Sequence, residues 1–259
     1  MLRLKQLLVI GVALIGTEAV CAARADAADC PVARDQLVQA LRASVKPSGG
    51  PTNGGLDNNE WAAVVDRDGA VCAVAFSGSK PDDQWLGSRG IAAEKATTAN
   101  AFSLKGFALS TANLYAGAQP AGYLFGIQST NPAAVDVLYA GDPSQFGSAN
   151  DPMIGKHVGG VVVFGGGLAL YSETGIVGAL GASGDTSCAD HNIAWRVRQA
   201  LGMDKVPGGV SPDKNDGIIY DMKPDKTSAS GYGHPLCNGK EAEIAEQIHA
   251  GMVAQWAKP

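Results

Sequence analysis

The sequence predicts an α/β protein of the α+β type: an antiparallel sheet with helices packed on it, a long insertion and a C-terminal helical tail. Three observations predict it. Strand-like runs come in adjacent pairs joined by Arg67-Asp68-Gly69 and by Glu173-Thr174-Gly175, and tight turns between strands build antiparallel ladders. Stretches that start near residues 31, 187 and 240 instead place apolar residues four apart, the helical period. From residue 110 to 156 no pattern holds, over a length that ordinary loops do not have.

The first 27 residues read as a secretory signal peptide. Arg3 and Lys5 supply a positive start, and Leu7 to Val20 an apolar run broken only by Thr17 and Glu18. Ala23-Arg24-Ala25 and Ala25-Asp26-Ala27 both fit small-x-small cleavage. The run is shorter than the roughly 20 residues that span a bilayer. Glu18, three residues before Cys21, is out of place in a lipid-attachment site.

In the mature chain, residues 31–46 put Leu37, Leu41 and Val45 on one helical stripe. Residues 47–60, rich in Gly, Pro and Asn, are a loop. Trp61–Asp66 and Ala70–Phe76 are strands, because Asp68-Gly69 tolerates the positive φ of a hairpin turn. Ile91 to about Ala101 is an Ala-rich helix. After the insertion come three strand-like runs, Gly160–Phe164, Leu168–Tyr171 and Ile176–Ala182. A helix from Ser187 to Leu201 aligns Ile193, Val197 and Leu201, and a loop-like tail runs from Gly202 to Gly239. A last helix near 240–257 aligns Ile244, Ile248, Met252 and Trp256. The expected organisation is a domain at 28–202 with the insertion at 110–156, then a tail at 203–259.

The whole chain carries a net charge of −5, and the signal peptide removes one more positive charge than negative. An acidic chain without Lys and Arg clusters lacks the footprint of nucleic-acid binding. No later apolar run reaches transmembrane length, so the mature chain has no expected membrane span. Only 17% of residues are charged and 46% are hydrophobic, which leaves apolar surface for a homo-oligomer to cover.

Four cysteines survive cleavage: Cys30, Cys72, Cys188 and Cys237. An even number in an exported chain favours disulfides, with three connectivities open. Cys30 precedes the first helix and Cys72 lies in the second strand, against which that helix should pack. Cys188 and Cys237 each sit three residues from a histidine, His191 and His234. The expected pairs are therefore Cys30–Cys72 and Cys188–Cys237. Cys-x-x-Cys and Cys-x-x-Cys-His are absent from the sequence, so thioredoxin-type chemistry and covalent c-type haem lack their motifs.

The best local binding candidate is the run from Gly181 to His191, where a strand enters a helix. Ser183, Gly184, Asp185, Thr186, Ser187 and Asp190 surround that helix start. Free N–H groups and the helix dipole attract anions there, and the same hydroxyls serve equally as helix caps. A Cys188–Cys237 bond would bring its Cα atoms to about 5–6 Å, and His191 and His234 into one neighbourhood. Cys188-x-x-His191 has metal-ligand spacing, but a single pair assigns no metal. His157 lies at the exit of the insertion, and His249 reads as a surface residue. No catalytic residue is assigned. Ser77-Gly78-Ser79-Lys80 matches S-x-x-K but runs into Pro81-Asp82-Asp83, a loop. Gly181-Ala182-Ser183-Gly184-Asp185 has Asp where a nucleophile elbow needs glycine.

Gly166-Gly167-Leu168-Ala169-Leu170-Tyr171 and Val177-Gly178-Ala179-Leu180-Gly181-Ala182-Ser183-Gly184-Asp185 resemble the GlcG/HbpS-like family of haem-binding proteins. So do Gly87-Ser88-Arg89-Gly90-Ile91 and Ala96-Thr97-Thr98-Ala99-Asn100-Ala101-Phe102. The resemblance covers Pro31–Leu201 apart from the insertion. It implies a profilin-like layer fold, frequent oligomers and haem binding in some members. A related domain ends certain PduO-type cobalamin adenosyltransferases. The cysteines, the insertion and the tail depart from short members of the family. The expectation is a periplasmic or secreted protein that binds haem, or a similar tetrapyrrole, for storage, scavenging or redox sensing. His191, His234 and His157 are the candidate iron ligands. The helix start at Asp185–Ser187 would take a propionate, and Asp190 would orient His191. The alternative is an enzyme or accessory factor that binds a small organic acid at Ser183–Asp185.

Overall fold

The computed structural model describes residues 30–47 and 52–249. The expected signal peptide lies outside them, as do Met252 and Trp256 of the stripe expected for the last helix. The main elements are α1 (Arg34–Val45), β1 (Trp61–Asp66), β2 (Val71–Phe76), α2 (Gly87–Phe102), β3 (Gly167–Ser172), β4 (Gly175–Ser183), α3 (Ser187–Ala200) and α4 (Lys240–His249). The strands form one sheet in the order β2-β1-β4-β3, antiparallel at every pairing. Gly69 turns β1 into β2 at a φ of 90°, a conformation glycine adopts without strain.

Both faces of the sheet are covered. Ala62, Val64, Leu168, Leu170 and Leu180 pack against Leu37 and Leu41 of α1, Ile193 and Val197 of α3, and Ile244 and Ile248 of α4. Ala63, Val65 and Ala179 pack against Ala92, Ala96 and Ala99 of α2. Burial on two sides explains why the strands read as nearly continuous apolar runs rather than alternating ones. Small residues set the spacing between α2 and the sheet. A Cβ added at Gly181 would stand 1.9 Å from the Ala92 carbonyl oxygen.

The insertion packs onto the α2 face. Leu138, Met153 and Val158 enter the core there. The Arg89 guanidinium donates to both carboxylate oxygens of Asp151 and, at 2.8 Å, to the Leu138 carbonyl. The Phe146 ring covers it with a centroid at 3.8 Å.

The strand expected at Gly160–Phe164 does not form. Gly159 and Gly160 take positive φ, and the Val162 N–H donates to the Thr98 hydroxyl at 3.0 Å rather than to a strand. β3 is therefore one edge of the sheet. The tail covers it: the Tyr171 N–H donates to the Met203 carbonyl at 2.9 Å, and the Lys205 N–H to the Tyr171 carbonyl. Arg198 holds the tail through a two-pronged pair with Asp216 at 2.7 and 2.8 Å. Both expected disulfides are present, with Cα–Cα distances of 5.5 Å for Cys30–Cys72 and 6.1 Å for Cys188–Cys237. Among the described residues no helix is long and apolar enough to cross a membrane.

Candidate functional site

The turn from β4 into α3 gathers residues from five parts of the chain, but it is closed from within. The Thr186 hydroxyl caps the helix by accepting the Ala189 N–H at 3.2 Å, and it donates to Glu241 of α4 at 2.9 Å. The Asp190 N–H donates to the Thr186 carbonyl at 2.8 Å, and the Cys188 N–H points at Cys237 Sγ, 3.3 Å away. Asp185 accepts the N–H groups of Leu56, Asn58 and Thr186, and Gly184 offers its carbonyl to Asn58 and Gln84. At this helix start Thr186 caps the Ala189 N–H and Asp185 takes the neighbouring loop N–H groups. The carboxylates of Asp185 and Asp190 also make this turn unfavourable for a propionate or a small organic acid.

Behind the turn lies a buried trio of ionisable residues. Lys95 Nζ donates to Asp190 at 2.6 Å and to the Ala182 carbonyl at 2.9 Å. The other Asp190 oxygen accepts the Asp185 N–H at 2.8 Å. Glu60, fully buried, finds no donor for either carboxylate oxygen. Burial first, and then the negative charge of Asp190, push its carboxyl well above the usual range. Both effects favour the protonated, neutral carboxyl over the carboxylate. Asp190 is itself raised by burial, with the Lys95 charge opposing. Gly166 allows this packing: a Cβ there would stand 2.7 Å from Lys95 Nζ. The sequence did carry a signal for this trio. Lys95 lies on the same helical stripe as Ala92, Ala96 and Ala99, where a cation requires a buried partner.

Three of the four histidines face the interior. His191 is fully buried and neither ring nitrogen has a partner. Asp190 is occupied by Lys95, so the expected orienting contact to His191 does not exist. Burial, and next the neighbouring His249, hold the His191 imidazole well below its usual pKa. His234 lies nearby: Gly165 N–H points at its Nε2 from 3.5 Å, and a Cβ on Gly165 would come within 3.0 Å of His191 Cβ. Its Nδ1 donates to the Pro235 carbonyl at 2.7 Å, and the Ser187 hydroxyl stands 3.4 Å from Nε2. These partners place the proton on Nδ1 and the lone pair on Nε2. Burial lowers its pKa to about 4. His249, expected at the surface, instead stacks on Trp195 with ring centroids 4.1 Å apart, and burial lowers it to about 4 as well. It belongs to the apolar contact between α4 and α3.

His157 is the exposed histidine. It lies apart from the other three, beside the β1–β2 turn. Arg67, Asp68, Gly69, Thr97, Asn100, Ala101 and Gly159 line a cavity of about 350 Å³ with it. Arg67 is held by the Asn100 carbonyl, the Asn100 side chain and the Ser103 carbonyl. The cavity thus sets an accessible imidazole beside the held guanidinium of Arg67 and the carboxylate of Asp68. The cavity joins the end of the insertion, a sheet turn and the end of α2, so no local sequence motif could announce it.

A family model described as "Haem degrading protein HbpS-like" matches residues 35–198. Among solved structures the chain is similar to the Klebsiella pneumoniae protein ORFY, at 20% identity and a TM-score of 0.44, over 68% of this chain and 90% of that one. It is also similar to a PduOC:haem complex, at 25% identity and a TM-score of 0.42, over 64% of this chain and 89% of that one. No curated protein matches the sequence.

Proposed function

Because this chain belongs to the HbpS-like family of haem-degrading proteins, we propose that it is an exported haem-binding protein serving storage, scavenging or redox sensing, with His157 as the iron ligand. The observation that carries the assignment is the exposure of that imidazole on the rim of a cavity. Imidazole nitrogen is a common ligand to haem iron. His191 and His234 are buried, so neither meets a macrocycle unless the fold opens. Arg67 and the exposed Lys156 provide positive charge for propionates. Bound there, haem would supply an iron centre, with His157 as the residue that would hold it.

Export is supported by the order of positive, apolar and small-residue segments in residues 1–27. The two disulfides support it too, since such bonds persist in oxidising compartments. A homo-oligomer is supported by Leu56, Trp85 and Leu86, which the single chain leaves exposed.

The test is hemin titration of the wild type and of the His157→Ala, His191→Ala and His234→Ala variants, followed in the Soret region. The expected result is a saturable band that shifts or weakens in His157→Ala alone. A spectrum unchanged in His157→Ala would remove the ligand assignment, and the absence of a saturable band in the wild type would remove haem binding. Decay of the band in air with a reductant would add degradation to binding.

A further inference from the structure

We propose that Cys188, Cys237 and His234 form, in the dithiol state, a three-ligand site for a borderline-soft divalent cation such as Zn²⁺, and that the disulfide is the closed form of this site. The haem reading uses none of these residues, so the two stand or fall separately. The ligand atoms of all three lie within 4.8 Å of one another. His234 Nδ1 is 3.8 Å from Cys188 Sγ. A nitrogen and a sulfur sharing one tetrahedral Zn²⁺ lie about 3.6 Å apart, given Zn–N near 2.0–2.1 Å and Zn–S near 2.3 Å.

Two thiolates on the same ion lie about 3.8 Å apart, so one sulfur must retreat after reduction. Cys188 is fixed in the first turn of α3 and fully buried. Cys237 is exposed and follows Leu236, also exposed, in the loop before α4. Cys237 therefore has room to move. Its sulfur already receives the Cys188 N–H at 3.3 Å and lies 3.6 Å from the Ser187 hydroxyl. A thiolate is favoured there, at the N-terminus of a 14-residue helix. When Nδ1 turns to the metal its proton passes to Nε2, where the Ser187 hydroxyl stands as acceptor. The fourth position faces solvent beside Cys237 and takes water.

The opening step needs a dithiol. One thiolate of the reductant attacks the exposed Cys237 sulfur, the Cys188–Cys237 bond breaks and Cys188 leaves as a thiolate. The second thiol of the reductant then displaces Cys237 and leaves as a cyclic disulfide. The two cysteines gain two electrons and two protons, and Zn²⁺ binding releases those two protons without a change of oxidation state.

The test uses the mature chain, reduced anaerobically with dithiothreitol, freed of reductant and given Zn²⁺ alone. The expected result is one tight Zn²⁺ per chain after reduction and none in the oxidised chain. X-ray absorption of the wild type should show two sulfurs near 2.3 Å and a nitrogen near 2.0–2.1 Å. His234→Ala should weaken binding by about tenfold or more, and Cys237→Ser should leave one sulfur in the shell. A reduced wild type that retains no Zn²⁺, or a shell of four sulfurs without nitrogen, would overturn the proposal. The wild-type spectrum decides even if a variant fails to fold.

Discussion

Replacing Lys95 by Met removes the cation from the buried trio while keeping most of the side chain's volume. The side chains of Lys95 and Asp190 are 0% and 3% exposed, so solvent does not screen what is left. Asp190 keeps the Asp185 N–H as donor but loses its counter-charge, and the Ala182 carbonyl loses its donor. Breaking a buried pair from one side costs about 3–5 kcal/mol, against about 0–1 kcal/mol for a pair in water. A domain of this kind has about 5–15 kcal/mol in total, so Lys95→Met should lose about a fifth or more of its stability. Urea unfolding of the disulfide-intact chain measures this as a lower midpoint at unchanged slope. Lys95→Met/Asp190→Asn should recover part of the loss, because the stranded charge is gone. A loss below about 1 kcal/mol, or no recovery in the double variant, would refute the picture of a dry, coupled trio.

Glu60 sets a pH dependence of defined sign. Its carboxyl is raised in the folded state, so below about pH 4.3 both states hold the proton and nothing is lost. As pH rises above that value the unfolded chain releases its proton first, and stability drains away until the folded carboxyl also ionises. Glu60→Gln should match the wild type near pH 4 and exceed it increasingly toward pH 8, read as urea midpoints across that range. Cys188→Ala/Cys237→Ala opens a connection across 49 residues, and its urea midpoint should report a loss of about 4 kcal/mol on the chain-entropy account. Gly181→Ala drives a methyl into the Ala92 carbonyl oxygen, forcing α2 off the sheet. It should cost about 3 kcal/mol or more by thermal unfolding, whereas Gly202→Ala, with open space around it, should not act through such a clash.

Much of the fold was legible because its signals are local. Leu37, Leu41 and Val45 mark α1 by spacing alone, and Asp68-Gly69 marks the first hairpin. Both disulfides followed from the neighbours of each cysteine. Gly160–Phe164 was misread because it has strand composition, while its hydrogen-bond partner, Thr98, lies on a helix and is distant in sequence. His249 was misread because the aromatic face that buries it, Trp195, belongs to another helix. At Ser183–Ser187, the expected anion site, Asp185 accepts neighbouring N–H groups and the Thr186 hydroxyl caps the helix. Lys95, Asp190 and Glu60 meet only after α2, α3 and β1 are assembled, and sequence reasoning touched Asp190 alone. The cavity at His157 depends on the path of the insertion, which carries no periodic signal.

The absorbance spectrum of the chain isolated from the cells that make it, before and after hemin is added, tests the central claim most directly. The account predicts a Soret band, saturating at one haem per chain and altered in His157→Ala. A chain that stays transparent above its own protein absorption, and shows no saturable band in excess hemin, would contradict it.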